Sequence, residues 1–213
     1  MHPGSHPLHR PIEALLARHE REPEHARQVA RLALELHDAL RPIHGQGARE
    51  RELLECAALL HDIGWSATAP DGKGHHKASA RLIRESTWET LTQREVRCVA
   101  AVARYHRKAL PDPEHEDLRG LPATDQTRVA WMAACLRTAD GLDRRHLQAV
   151  DSVSARRAGG GIELRVVARG GIDDELAAAD RKSDLLRSLL PGPLTFRRVD
   201  PTDATPQALP DPP

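Results

Sequence analysis

The chain has 213 residues, 31 basic and 31 acidic side chains and no formal net charge, a length that allows one domain with a real core, or one domain plus a small appendage. A neutral balance gives no electrostatic reason to expect nucleic acid or an acidic membrane surface as a partner. No apolar run approaches the roughly 20 residues that span a bilayer, and the opening MHPGSHPLHRP has no apolar signal segment, so a cytoplasmic protein is the default expectation.

Residues 1–11 read as a flexible, His/Pro-rich lead, followed by a short helix over 12–20. PEHARQVARLALELHDAL starts a second helix with Pro23 in its first turn, where proline is tolerated. Its apolar stripe, Val29, Leu32, Ala33, Leu36 and Leu40, has helical spacing, and RPIHGQG closes it. A third helix runs from about Ala48 to Asp62 and stops at Gly64. APDGKG is a loop, HHKASARLIRES a fourth helix and QREVRCVAAVARYH a fifth. After a loop at 107–123 rich in proline and charge, TDQTRVAWMAACLRTADGLDRRH reads as a long helix, capped by Thr124 or Asp125. AVDSVSARR, AGGG and IELRVVARGG then read as strand, turn and strand. IDDELAAADRKSDLLRSLL is helical, with apolar positions at Leu176, Ala177, Leu185 and Leu189, and LTFRRV is a last short strand. The Pro/Asp/Thr-rich residues 201–213 are expected to be disordered. The fold class is therefore mainly α, with a helical domain over 12–147 and a small α+β subdomain over 148–200. Cys56, Cys98 and Cys135 each lie among Ala, Leu and Val and read as core residues, not as a disulfide or a zinc finger.

Some polar residues fall on the wrong face. His25 shares a helical stripe with Val29, Leu32 and Leu36; His61 shares one with Leu54 and Ala58. His106 follows Val99, Val102 and Ala103, and Asp140 follows Met132, Ala133 and Leu136. A buried carboxylate without a partner is costly. One inward histidine is ordinarily a hydrogen-bonded core residue. Several that converge with aspartates from different helices are a standard way to assemble a metal site in a bundle. Nitrogen and carboxylate donors suit Mn, Fe, Co, Ni or Zn better than an all-oxygen Mg or Ca cage, with Mg still a candidate.

The pattern H…HD…D, formed by His25, His61-Asp62 and Asp140, resembles the defining motif of the HD-domain superfamily. CAALLHDIG, GHHKASARLI, VARYHRKALP and LRTADGLDRRH resemble the C-terminal HD domain of the Ppx/GppA phosphatase family, and the helix ELAAADRKSDLL and closing strand LTFRRV resemble its end, so the resemblance covers about residues 24–200. The resemblance implies an HD-type helical bundle with a metal held by His25, His61, Asp62 and Asp140. It also implies that Asp62 bridges to a second metal and that His106 and one of His75 or His76 are further ligands. The H-x-x-x-S-A spacing from His75 to Ser79-Ala80 favours His75, with His76 the alternative. Members of that family hydrolyse polyphosphate and guanosine pentaphosphate in two actin-like N-terminal lobes. The sequence contains no counterpart of these lobes, so that activity is not carried over. Trp65 follows HDIG where many two-metal HD enzymes have lysine.

Two divalent ions on such ligands would suit a phosphohydrolase acting on a phosphomonoester or phosphoanhydride, whether nucleotide, alarmone or polyphosphate. Asp62 as the bridging carboxylate and His76 as proton donor are the expected catalytic residues. Lys73, Lys77, Arg107, Lys108 and Arg144 are the expected phosphate contacts, because they flank the motifs. Two other functions fit the same residues: a non-catalytic regulatory module that binds polyphosphate or nucleotide, and a di-iron oxygenase. The C-terminal strands could pair within the domain or cover a partner, which leaves a homodimer open. His37 falls opposite the Leu36/Leu40 stripe, and His115 and His146 fit the family's pattern as supporting residues. Gly159–Gly161 lacks the lysine and helix of a phosphate loop and reads as a hairpin turn.

Overall fold

The computed structural model describes residues 9–203, so most of the expected lead and tail lies outside the described residues. In chain order the helices are α1 (His9–His19), α2 (Pro23–His44), α3 (Ala48–Leu59), α4 (His75–Glu85), α5 (Gln93–Arg104), α6 (Ala123–Leu142), α7 (Asp173–Lys182) and α8 (Asp184–Leu189). The strands are β1 (Ser152–Ala158), β2 (Gly161–Val167) and β3 (Leu194–Val199). The chain is mainly α-helical, with the small sheet at its C-terminal end.

The longest helix, α2, sets the frame. Leu32, Leu36 and Leu40 on its inner face are fully buried, each stabilising the fold by about 1.5–3 kcal/mol. α2 continues through Pro42 instead of stopping at Leu40. A proline in the last turn removes only one backbone bond, and Gly45, left-handed at φ 66°, then ends the helix with its N–H on the Arg41 carbonyl at 2.9 Å. His37 is buried rather than outward-facing; its Nε2 meets Gln46 Oε1 at 3.2 Å.

Three other helices end earlier than their sequences suggest. α3 stops at Leu59 and a 3₁₀ turn (Ile63–Ala67) follows, α5 stops at Arg104, and α6 stops at Leu142. His61 and His106 therefore each sit two residues beyond a helix end, in a turn. α6 is capped by neither Thr124 nor Asp125. It starts at Ala123, and the Asp125 carboxylate is engaged by Arg94 and by Arg128.

β1 and β2 form an antiparallel hairpin from Ser152↔Val167 to Ala158↔Gly161, turned by Gly159 and Gly160 at positive φ. β3 runs parallel to β2, from Ile162↔Leu194 to Val167↔Val199, after the chain crosses over through α7 and α8. The expected single helix over 172–190 breaks at Ser183, whose hydroxyl donates to the Ala179 carbonyl at 2.6 Å. Within α7 the face that meets the core carries Ala178 and Ala179, and Ala177, expected on the apolar face, is exposed. The sheet and bundle share one hydrophobic core: Val153, Leu164, Val166 and Leu186 belong to the same cluster as Leu32 and Leu136. Gln28 and Arg31 of α2 donate to the carbonyls of Val150 and Asp151, both at 2.7 Å, and fix the approach to β1. Among the described residues no helix is long and apolar enough to cross a membrane.

Gly64 brings the turn after α3 against α4. A Cβ at this position would lie 2.1 Å from the His75 carbonyl oxygen and 2.4 Å from Ser79 N. Gly64→Ala is therefore expected to destabilise the fold by about 1–3 kcal/mol, the usual range for overpacking, measured as a lower urea midpoint.

The N-terminus of α5 carries a capping box, with Thr92 Oγ1 accepting from Glu95 N and Glu95 Oε2 accepting from Thr92 N at 2.8 Å. Arg49, 2.7 Å away, and then Thr92 hold the Glu95 carboxyl down at about 2, against the opposing effect of burial. A depressed carboxyl stabilises the fold above its unfolded value and loses that contribution as pH falls through its folded value. The stability gap between wild type and Glu95→Gln should thus be full at pH 7 and narrow from about pH 4.5 towards pH 2. Denaturant melts across that range measure it.

Candidate metal centre

His25 enters from the first turn of α2, and His61 and Asp62 from the turn after α3. His75 comes from the start of α4, His106 from just beyond α5, and Asp140 from the last turn of α6. They form two groups. Donor atoms of His25, His61 and Asp140 all lie within 4.8 Å of one another, and so do those of Asp62, His75 and His106. The four histidines are buried. Asp62 spans the groups: Oδ1 is 3.2 Å from His75 Nε2 and 3.4 Å from His106 Nε2, while Oδ2 is 3.6 Å from His61 Nε2.

Each histidine is oriented through its other nitrogen. His61 Nδ1–H donates to the Ala58 carbonyl at 2.7 Å, His75 Nδ1–H to Gly72 at 2.9 Å and His106 Nδ1–H to Ala103 at 2.7 Å. In all three cases the acceptor lies three residues back in the chain. His25 Nδ1–H instead donates to Asp143 Oδ2 at 2.8 Å. With the proton on Nδ1, the Nε2 lone pair of every ring points at the centre.

A cation fits these residues. His25 Nε2, His61 Nε2 and Asp62 Oδ1 are buried and have no hydrogen-bond partner, and such groups are costly unless something binds them. The local field favours positive charge. Burial works against protonation of His61, yet Asp62 and Asp140 outweigh it and raise its pKa. Burial pushes the Asp62 carboxyl up, but the facing His61, His75 and His106 hold it well below the usual range. Asp140 is held down in the same way, by Lys182, His61 and His106 against burial. His106 is pushed down to about 3 by burial, against the opposing pull of Asp62 and Asp140. The donor set, nitrogen with carboxylate oxygen, suits two divalent ions of the Mn, Fe, Co, Ni or Zn type.

A cavity of about 350 Å³ opens onto both groups. Arg21, Trp65, Arg107, Arg144, His146 and Lys182 contribute to its wall, with Glu20 and Glu22. Of the expected phosphate contacts, Arg107 and Arg144 line this cavity. Arg107 Nη1 lies 3.3 Å from His75 Nε2. Lys77 lines a separate cavity with Arg81, Arg84 and Arg104. Lys73 and Lys108 are exposed and are not part of the site's wall. The structure places His75 in the second group. His76 is half-buried beside it, its ring 5.9 Å from that of His75, and is not on the cavity wall. Burial, followed by His75, Arg107 and other nearby cations, lowers its pKa to about 4.

Beyond the expected donors and phosphate contacts, other residues contribute, among them His146, which the sequence had suggested only as a supporting residue. Asp143 lies one helical turn beyond Asp140, a spacing that could have identified it as an inward residue. His146 stacks on His25 at 3.7 Å and pairs with Glu22. Trp65, the departure from the usual lysine, stacks on His75 at 4.6 Å. Lys182 reaches Asp140 from α7. No local pattern marks that lysine, because the contact depends on how α7 docks.

A helical bundle that gathers histidines and aspartates into two donor groups under a cavity lined by both arginines and carboxylates defines a metal-dependent HD-type domain. The family model for Ppx/GppA phosphatase, domain III, matches residues 9–170, and the chain belongs to this family. No curated protein matches the chain significantly.

Asp143→Asn removes the carboxylate that holds His25 and should weaken divalent metal binding by about 10–100-fold, the usual cost of losing such a supporting partner. Calorimetric titration with Mn²⁺ measures it.

Proposed function

We propose that the chain is a metal-dependent phosphohydrolase acting on a phosphomonoester or phosphoanhydride. The carrying observation is that two three-donor groups, joined through His61-Asp62, face one cavity with arginines on its wall. His25, His61 and Asp140 would hold one ion and Asp62, His75 and His106 the other, with Asp62 turned towards both. Divalent ions held there would lower the pKa of water and polarise a phosphoryl oxygen.

The protein's own residues supply position and charge. The Nδ1–H bonds lock the imidazoles, so the donors need little reorganisation when they bind. Arg107 and Arg144 offer planar donors to phosphoryl oxygens, and Arg21 adds positive charge at the rim. Trp65 covers one face of His75 and narrows the approach on that side. A cavity of about 350 Å³ takes a phosphorylated small molecule or the end of a longer phosphate chain.

Purified protein loaded with Mn²⁺ or Co²⁺ is expected to release phosphate from at least one member of a panel of nucleotides, sugar phosphates, alarmones and polyphosphate. His61→Ala should lower that rate by at least about 100-fold, since it removes a donor from the first group. Chelation with EDTA should abolish the activity and re-addition of metal should restore it. Undiminished turnover in His61→Ala would overturn the assignment.

A further inference from the structure

A lysine from the C-terminal segment pairs directly with a donor of the first group. Lys182 is the last residue of α7 and lies beyond the matched residues 9–170. Its ammonium pairs with Asp140 and lines the cavity beside Arg107 and Arg144. The Lys182 side chain is 30% exposed against 12% for Asp140, so the lysine approaches the carboxylate from the open side.

Its position is built, not incidental. α7 lies so close to α6 that a Cβ on Gly141 would come within 2.5 Å of Ala179 Cα. Ser183 Oγ and Thr138 Oγ1 are hydrogen-bonded at 3.1 Å. Buried Arg137 of α6 holds Asp184 at 2.8 Å and donates to the Tyr105 carbonyl, next to His106, at 3.0 Å. The residues on both sides of Asp140 are therefore tied to the junction between α7 and α8, which fixes the backbone from which the lysine reaches the site.

Asp140 has two claimants, the lysine and the divalent ion its group would hold. A carboxylate committed to an ion is a poorer partner for an ammonium, and two cations side by side need an anion between them. A phosphoryl group is such an anion, and lysine, a compact charge on a flexible stem, can swing from a carboxylate to a phosphate oxygen. We propose that Lys182, delivered by the C-terminal segment, is a phosphate-binding residue of this site and exchanges Asp140 for a phosphoryl oxygen of the bound ligand. The proposal rests on the phosphohydrolase reading for the identity of the ligand, but binding alone tests it.

The test is calorimetric titration of the Mn²⁺-loaded full chain with inorganic phosphate, for wild type, Lys182→Met and Lys182→Arg, alongside titration of each with Mn²⁺. Wild type should bind phosphate, and Lys182→Met should bind it at least about tenfold more weakly, the loss of one charge-assisted contact. Lys182→Arg should stay within a few-fold of wild type, and Mn²⁺ should bind Lys182→Met no more weakly than wild type. Phosphate binding unchanged in Lys182→Met, or absent from wild type, would overturn the proposal. So would loss of Mn²⁺ binding in Lys182→Met, or equal phosphate loss in both variants, which would make the lysine a packing residue. Lysine-dependent phosphate binding by a wild type that hydrolyses nothing in the substrate panel would support this inference while sinking the phosphohydrolase reading.

Discussion

Four hydrogen bonds from imidazole Nδ1 decide what this protein can do. They fix each ring's orientation and tautomer, so that the Nε2 lone pairs of His25, His61, His75 and His106 all face inward. In three of the four the acceptor is the carbonyl three residues back. The carbonyls of Ala58 and Ala103 belong to the last turns of α3 and α5, where acceptors are no longer committed to a continuing helix, and His61 and His106 stand just past those ends.

The rest of the architecture answers the charge that this arrangement buries. Asp62 and Asp140 bring two carboxylates into a region where unpaired charge is costly. The bundle balances them with imidazoles on one side and with Lys182, from another part of the chain, on the other. The C-terminal sheet and helices share the bundle's core, which is how a residue so distant in sequence is held at the site. An orphaned Nε2 on His25 and on His61, and an orphaned Oδ1 on Asp62, are the part of this balance that the protein does not close by itself.

Much of this was legible in the sequence, for an identifiable reason. His25, His61, His106 and Asp140 sit on apolar stripes at helical spacing, and a polar residue on such a stripe must find a partner; Asp62 was marked by the family's HD motif instead. The element order and the closing strand could also be read, from periodicity and turn residues. The spacing to Ser79-Ala80 already favoured His75 over His76, and the structure groups His75 with Asp62 and His106. Helix ends were the weak point. Pro42 looked like a stop and is not one, and Ser183 looked continuous and breaks the helix through its own side-chain bonds. Trp65 and Lys182 enter the site through stacking or docking between segments, which no local pattern records, whereas DRRH had pointed to His146 as a supporting residue.

The central claim is that these donors hold metal in two groups. Elemental analysis of the full chain after exhaustive dialysis against Mn²⁺ or Zn²⁺, followed by removal of loose ions, tests it most directly. The account predicts two equivalents per chain, falling to one or fewer in His25→Ala and in His106→Ala. A protein that retains no divalent ion, or retains two in both variants, would contradict it.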